Sequence, residues 1–327
     1  MGLNSSISEV HTMDNFIFSL NSTMPVFLVI LLGYILKVKK FLSVEFADMA
    51  NKFCFSIALP VMLYQDISKT NVREEMNLKF FLYCLIVTIV MFVLVWILAK
   101  LFVKDRSMVG AFAQAGARGS AAILGVAFVE NICGDIGMTA LMIVASVPFF
   151  NMLSVVILVC EAPRIGNEGI SKIKSSLINI GKNPIIIGIL LGLLASLAGF
   201  ELPVMLDRSF DYIGRTATPI ALIAIGAGFD LKEAITRLKP AIAASFIKLV
   251  GLPFIFLPIA IKIGFRDAEM VAILVMLAAP TTVSSYVMAK SMDNDHVLAS
   301  NVIVLTTLIS SITLTAWVFV LRTLGVI

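Results

Sequence analysis

The stretch LAAPTTVSSYVMAK, residues 277–290, lies inside a long apolar run yet carries Pro280, Thr281, Thr282, Ser284 and Ser285 at its centre. A run of that kind reads as a membrane helix, and a proline inside it removes a backbone donor and interrupts the hydrogen-bond ladder. The surrounding chain has 327 residues, of which 59% are hydrophobic and 14% charged, and its mean hydropathy is +1.01. This composition excludes an ordinary water-soluble globule and points to an all-α polytopic membrane protein.

Ten apolar runs recur along the chain, at 16–36, 44–64, 80–103, 109–129, 138–160, 184–198, 206–228, 241–263, 271–288 and 297–321. They meet or approach the roughly 20 residues that a membrane helix needs, and short loops rather than a soluble domain separate them. Residues 1–13 are polar and lack Lys and Arg. They do not read as a signal peptide, so the first helix is expected to remain in the mature protein.

Fourteen Lys and Arg, from Lys37 to Lys290, fall in one set of alternate loops, against seven, from Lys69 to Arg322, in the other. Basic residues are retained on the cytoplasmic side. The bias therefore predicts a multi-pass protein of the cell's inner membrane with both termini on the extracytoplasmic side. The net charge of +4 reflects this asymmetry and implies no nucleic-acid partner. Cys54, Cys84, Cys133 and Cys160 show no metal-ligand spacing and read as packing residues, so neither a metal nor a cofactor is expected.

An internal repeat decides the architecture. MPVFLVILLGYIL from Met24 matches NPIIIGILLGLLA from Asn183, pairing Pro25 with Pro184 and Gly33 with Gly192, 159 residues apart. IALPVML from Ile57 matches TATPIAL from Thr216, pairing Pro60 with Pro219 at the same spacing. The chain thus divides into two five-helix repeats, 1–165 and 166–327. Because five is odd, the second copy enters the membrane from the opposite side. Inverted repeats of this kind place a transporter's site at the bilayer midplane, between broken helices.

The same offset carries GARGSAAILG, residues 116–125 of the fourth run, onto 275–284, the opening stretch. Helices 4 and 9 are therefore both predicted to be broken, the fourth by Gly116, Gly119 and Gly125 and the ninth by Pro280. The half-helix N-termini so exposed favour an anion. Thr281, Thr282, Ser284 and Ser285 either satisfy the freed backbone or face the ligand.

Charges inside the membrane are costly and usually functional. Arg118 adjoins the fourth-helix break and suits a carboxylate with bidentate geometry, or else snorkels to the surface. Gln114 precedes it by four residues, on the same helical face. Lys52 and Asp211 occupy equivalent repeat positions and could pair as a coupling switch or as structural glue, unless Arg215 satisfies Asp211 locally. Asn151 and Lys248 are further polar candidates without an evident partner.

Several classes drop out. There is no HExxH zinc site, His11 and His296 lie near helix ends, and neither Ser120 nor Ser284 has a visible base, so an enzyme is not expected. Neither break contains Asp or Glu, which disfavours proton exchange as the primary activity. Paired breaks favour a moving gate over an open pore.

The strings AAPTTVSSYVMAKSMDNDHVLASNVIVLTTLISSITLTAW, NKFCFSIALPVMLYQDI, KNPIIIGILLGLL and RTATPIALIAIGAGFDL resemble the last two, second, sixth and seventh helices of the auxin efflux carrier family. The resemblance covers nearly the whole chain and implies crossing helices 4 and 9. It also implies a scaffold of helices 1, 2, 6 and 7, often dimeric, and a moving unit of helices 3–5 and 8–10. The family includes plant auxin exporters and prokaryotic carriers linked to malate and malonate, and the prokaryotic branch fits better. The chain departs from the family pattern at Ser120, where an asparagine is usual, at Ala127, where a proline commonly follows the glycine, and at Ser284 and Ser285, where a second proline often appears.

Together these readings predict a secondary carrier of small mono- or dicarboxylates. It would work by elevator-type alternating access, as a homodimer in the lipid bilayer, with Gln114, Arg118, Gly119, Ser120, Pro280, Thr281, Thr282, Ser284 and Ser285 at the substrate. The alternatives are a cation-coupled symporter of another organic solute, like the bile-acid symporters, or a channel. The sequence leaves open the transport direction and the coupling ion, whether proton or sodium.

Overall fold

The computed structural model describes residues 24–69, 77–121, 128–130, 138–162 and 181–327, with positions 17, 20, 21, 132, 133 and 178. All secondary structure among the described residues is helical. In chain order the longer helices among the described residues are α1 (Met24–Val38), α2 (Val44–Ser68), α3 (Leu78–Phe102), α4 (Val109–Ala117), α5 (Thr139–Glu161), α6 (Pro184–Ala198), α7 (Val204–Gly228), α8 (Leu238–Ile263), α9 (Asp267–Ala278), α10 (Ser284–Ser291) and α11 (His296–Thr323), with short helical turns at Arg106–Met108 and Leu231–Thr236.

Local chemistry sets several of these boundaries. Ser43, Asn77, Asn183 and Asp295 cap their helices by accepting an N-terminal amide on the side chain. This satisfies donors that a helix start leaves unpaired. Pro184 follows its cap at the first position of α6, where its missing N–H costs nothing. Gly199 and Gly264 end α6 and α8 in the left-handed conformation, which lacks a Cβ penalty in glycine.

Helices α2, α3, α5, α8 and α11 are long and apolar enough to cross a membrane. α1 and α6 are shorter apolar helices. α7 spans 25 residues and carries Asp207, Arg208, Asp211 and Arg215 in its first half. Leu82, Ile86, Val93 and Ile97 of α3, with Ile187, Leu190, Leu191 and Leu194 of α6, face outward and exposed. In water each would forgo about 1.5–3 kcal/mol of burial. Contiguous apolar surface of this extent marks a protein solvated by lipid.

The interior contains two apolar clusters. One joins α3, α4, α5, α8, α9 and α11. The other joins α1, α2, α6 and α7, with the facing sides of α5, α10 and α11. Within the second, α7 runs antiparallel to α2: Lys69 at the end of α2 bridges Asp207 in the first turn of α7 at 3.0 Å, while Cys54 Sγ, further back along α2, lies 3.5 Å from the Ala217 carbonyl. α1 meets α7 where Gly33 and Gly226 face each other. A Cβ on Gly33 would lie 2.5 Å from the Ile223 carbonyl, and one on Gly226 would overlap the Ile30 carbonyl. Membrane helices approach this closely only through small residues.

Antiparallel packing corrects the expected Lys52–Asp211 pair. Lys52 lies in the first half of α2, whereas Asp211 lies beside the second half, one turn after Asp207. Asp211 is bridged instead by Arg215 at 2.8 Å, and Lys52 is exposed and takes no part in the ion pairs among the described residues.

Candidate functional site

The opening stretch is broken in the structure. α9 ends at Ala278 and α10 begins at Ser284, with Pro280 between them. In the fourth segment α4 ends at Ala117, and the backbone turns extended at Arg118. The two breaks lie against each other: the Ser120 amide donates to the Pro280 carbonyl at 2.8 Å. Thr281 Oγ1 donates to the Ala115 carbonyl at 2.7 Å, and the Thr281 amide donates to Thr306 Oγ1 at 3.0 Å. Gln114 Nε2 donates to the Ser285 carbonyl at 2.7 Å. The polar side chains around the proline thus satisfy backbone that the break released. Gly125 and Ala127 lie outside the described residues.

A cavity of about 400 Å³ opens beside this junction. One wall comes from the fourth segment (Arg118, Gly119, Ser120, Ala121), α5 (Val147, Phe150, Asn151) and the ninth segment (Thr282, Ser284). The facing wall comes from α2 (Met62, Leu63, Gln65, Asp66) and α7 (Asp211, Gly214, Arg215, Thr218). The cavity therefore lies between the two apolar clusters.

Arg118 is the dominant group on the first wall. It is only 4% exposed. Its Nη2 donates to Asn151 Oδ1, its Nη1 donates to Met288 Sδ at 2.8 Å, and its Nε has no partner. Asn151 is held in turn by its own Nδ2 donating to the Val147 carbonyl at 2.9 Å. No ion pair among the described residues involves Arg118. A buried guanidinium whose hydrogen-bond partners are neutral and whose Nε is unpaired is costly to keep charged.

Thr282 and Ser284 face the cavity with their hydroxyl oxygens 3.2 Å apart. The amides of Ser285 and Tyr286 donate back to the Thr282 and Val283 carbonyls, so the first turn of α10 offers fewer free donors than a bare helix end. Gln114, Pro280, Thr281 and Ser285 sit behind the wall and hold its shape. Ser285 Oγ and Gln114 Oε1 are buried without a partner.

Lys248 lies deeper still. Fully buried, it sits in the π-helical segment Ile247–Gly251 of α8 and donates through Nζ to the carbonyls of Ala117 and Met276, both at 3.2 Å. The partners that the sequence left unnamed are thus backbone atoms. Gln65 and Asp66 were not among the sequence candidates. A glutamine and an aspartate near the end of an apolar run were the available signal, but neither has a polar counterpart 159 residues on, where Ala224 and Ile225 stand.

A lipid-facing chain whose described residues are helical, with a polar cavity between two apolar clusters, has the form of a membrane transporter. The chain belongs to the membrane transport protein family, that of the auxin efflux carriers, which matches residues 18–318. It is 27% identical over 309 residues to a Rhizobium meliloti protein named "Putative malonate transporter", covering 91% of this chain and 94% of the relative. It is 24% identical over 278 residues to the uncharacterized transporter YfdV of Escherichia coli, covering 83% and 88%. An uncharacterized transporter of Methanocaldococcus jannaschii is 24% identical over 307 residues, covering 90% and 96%. The protein is a membrane transporter and not an enzyme.

Proposed function

We propose that the chain is a secondary carrier of small organic anions, mono- or dicarboxylates, which are held in the cavity beside the helix 4/9 crossover. The observation that carries this reading is the Arg118 guanidinium, buried at the cavity wall with Nε unpaired and, among the described residues, hydrogen-bonded to Asn151 and Met288 alone. A carboxylate supplies the missing charge and accepts two parallel N–H bonds from the planar fork. The hydroxyls of Thr282 and Ser284 are placed to bind its remaining oxygens. The name of the Rhizobium meliloti relative adds support for a dicarboxylate.

In this reading the ten runs are ten spans in two inverted repeats, with both termini extracytoplasmic in the inner membrane. Contacts support the repeat as well as the sequence does. Gly33 packs on Gly226, and the positions equivalent to them, Gly192 and Ile67, also touch, with the built Cβ 3.1 Å from Ile67 Cβ. The cluster on α1, α2, α6 and α7 forms the scaffold and presents its outer face to a second subunit. The cluster on α3, α4, α5, α8, α9 and α11, with α10, moves as the transport unit. A cavity between the two is the place where such a displacement changes access. Neutralising Arg118 with substrate lowers the cost of carrying its charge across the hydrocarbon region.

Uptake of radiolabelled malonate, malate and lactate into proteoliposomes tests this reading. At least one should be accumulated and competed by the unlabelled acid, and Arg118→Ala should abolish that uptake. Wild-type KM and rate in Arg118→Ala would remove the site from the mechanism.

A further inference from the structure

The two carbonyls bonded to Lys248 belong to equivalent residues, since Ala117 and Met276 are 159 positions apart. Ala117 is the last residue of α4, and Met276 lies in the last turn of α9. Each carbonyl has lost its helical donor. Four residues after Met276 stands Pro280, which has no N–H, and the chain turns extended at Arg118 immediately after Ala117. Buried carbonyls left so would be costly, and each helix end adds about half a negative charge. The ammonium meets both ends at once. Only one repeat provides it: the position equivalent to Lys248 is Ile89.

In carriers built on broken helices, unwound carbonyls and half-helix C-terminal ends are the ligands of the coupling cation. Here these atoms hold a cation that cannot leave. No carboxylate pairs with Lys248 among the described residues, and the groups there that meet its ammonium are the two helix-end carbonyls. The five-residue π-helix Ile247–Gly251 rotates this position out of α-helical register, where a bulge of this type commonly marks a functional site. Gly119 leaves room for the ammonium, since a Cβ there would lie 2.9 Å from Nζ. Gly119 also lines the cavity, so the charge sits directly behind the wall that carries Arg118.

We propose that the Lys248 ammonium is a resident cation at the crossover, holding the place that a coupling sodium ion would take, so that this chain carries its anion without sodium. The proposal rests on the transport reading above for its consequence, although the cation site itself can be tested without any substrate.

Thermal unfolding of the purified wild type, Lys248→Met and Lys248→Gln would be followed in choline chloride, with and without sodium, lithium or methylammonium chloride. The wild type should show the same midpoint in every salt. Lys248→Met and Lys248→Gln should unfold several degrees lower in choline and regain much of the loss with one of the small cations. In proteoliposomes, wild-type uptake should be equal in sodium and choline. Uptake by Lys248→Met should fall by at least an order of magnitude in choline and recover in part with the cation that stabilises it.

A wild type that sodium stabilises or activates would overturn the proposal, and that result can be read even if neither variant is purified. So would variants that fold but respond to no cation, or Lys248→Gln behaving as wild type, which would make the lysine a hydrogen-bond donor only. If Lys248→Met shows the cation-dependent midpoint while the wild type moves no carboxylate, the resident cation stands and the transport reading falls.

Discussion

The Ser120 amide donates to the Pro280 carbonyl at 2.8 Å, so each interrupted segment supplies a backbone partner that the other lost. The Thr281 hydroxyl adds a second stitch to the Ala115 carbonyl. Thr281→Val keeps the shape and removes the donor, leaving a buried carbonyl unpaired at a cost of about 1–3 kcal/mol. Its unfolding midpoint should fall, and Thr281→Ser should recover most of the loss. An unshifted midpoint in Thr281→Val would mean that the stitch carries no stability.

Arg118 should separate stability from function. Replacing a buried, unpaired charge by an apolar side chain of similar length is often neutral or stabilising. Arg118→Met should therefore unfold, without ligand, at or above the wild-type temperature, yet show no stabilisation by the transported anion. Arg118→Lys keeps the charge but loses the fork, and should raise KM by about tenfold or more, the equivalent of at least ~1.4 kcal/mol. Thermal shift and uptake on the same preparations check both.

The α1–α7 crossing has no space for a side chain. Gly226→Leu drives its side chain into the Ile30 carbonyl and the Tyr34 amide, an overlap that neighbouring backbone cannot yield to cheaply. This variant should fail to accumulate as folded protein in the membrane. Gly181→Ala, with nothing within 4 Å of the added methyl, should behave as wild type by size-exclusion chromatography.

Two ion pairs should prove weak. Lys290 of α10 bridges Asp48 of α2 at 2.6 Å, with Asp48 56% exposed, and Asp211 bridges Arg215, itself 78% exposed. Exposed pairs contribute about 0–1 kcal/mol after screening. A double-mutant cycle on Asp48→Asn and Lys290→Met should give a coupling energy in that range. Joint charge reversal of Lys52 and Asp211 should not rescue the single reversals, because antiparallel packing sets Asp211 of α7 beside the half of α2 that does not carry Lys52. A rescue would require the two to meet in another state of the carrier.

Much of this was legible in the residues because membrane solvent imposes strong local rules. Apolar runs had to be helices, since lipid offers backbone no other partner, and the run at 184–198 coincides with α6. Pro280 removed one donor from its ladder, but Pro148 and Pro219 do the same inside α5 and α7 without ending them, so the proline marked a candidate break and packing against the fourth segment decided it. The resemblance in the last two helices was carried by residues that the family membership bears out. Lys52 and Asp211 stay apart in this structure because each lies near the start of its own helix, and the starts of antiparallel neighbours lie at opposite heights; Arg215 bridges Asp211 locally, the alternative that the sequence left open.

What the sequence determined alone was therefore the helical membrane class and the places where a helix was open to interruption. Only tertiary structure decided which groups meet. Arg118 could have snorkelled, but Asn151 and Met288 hold it at the cavity wall. Asp66 gained its place when α2 packed along α7, and Lys248 gained its role when two helix ends converged on one ammonium. Periodicity and composition act along the chain, and a helix end's need for a donor can be read there. The donor itself stands 131 positions from Ala117 and 28 from Met276, on another helix in both cases, and packing alone selects it.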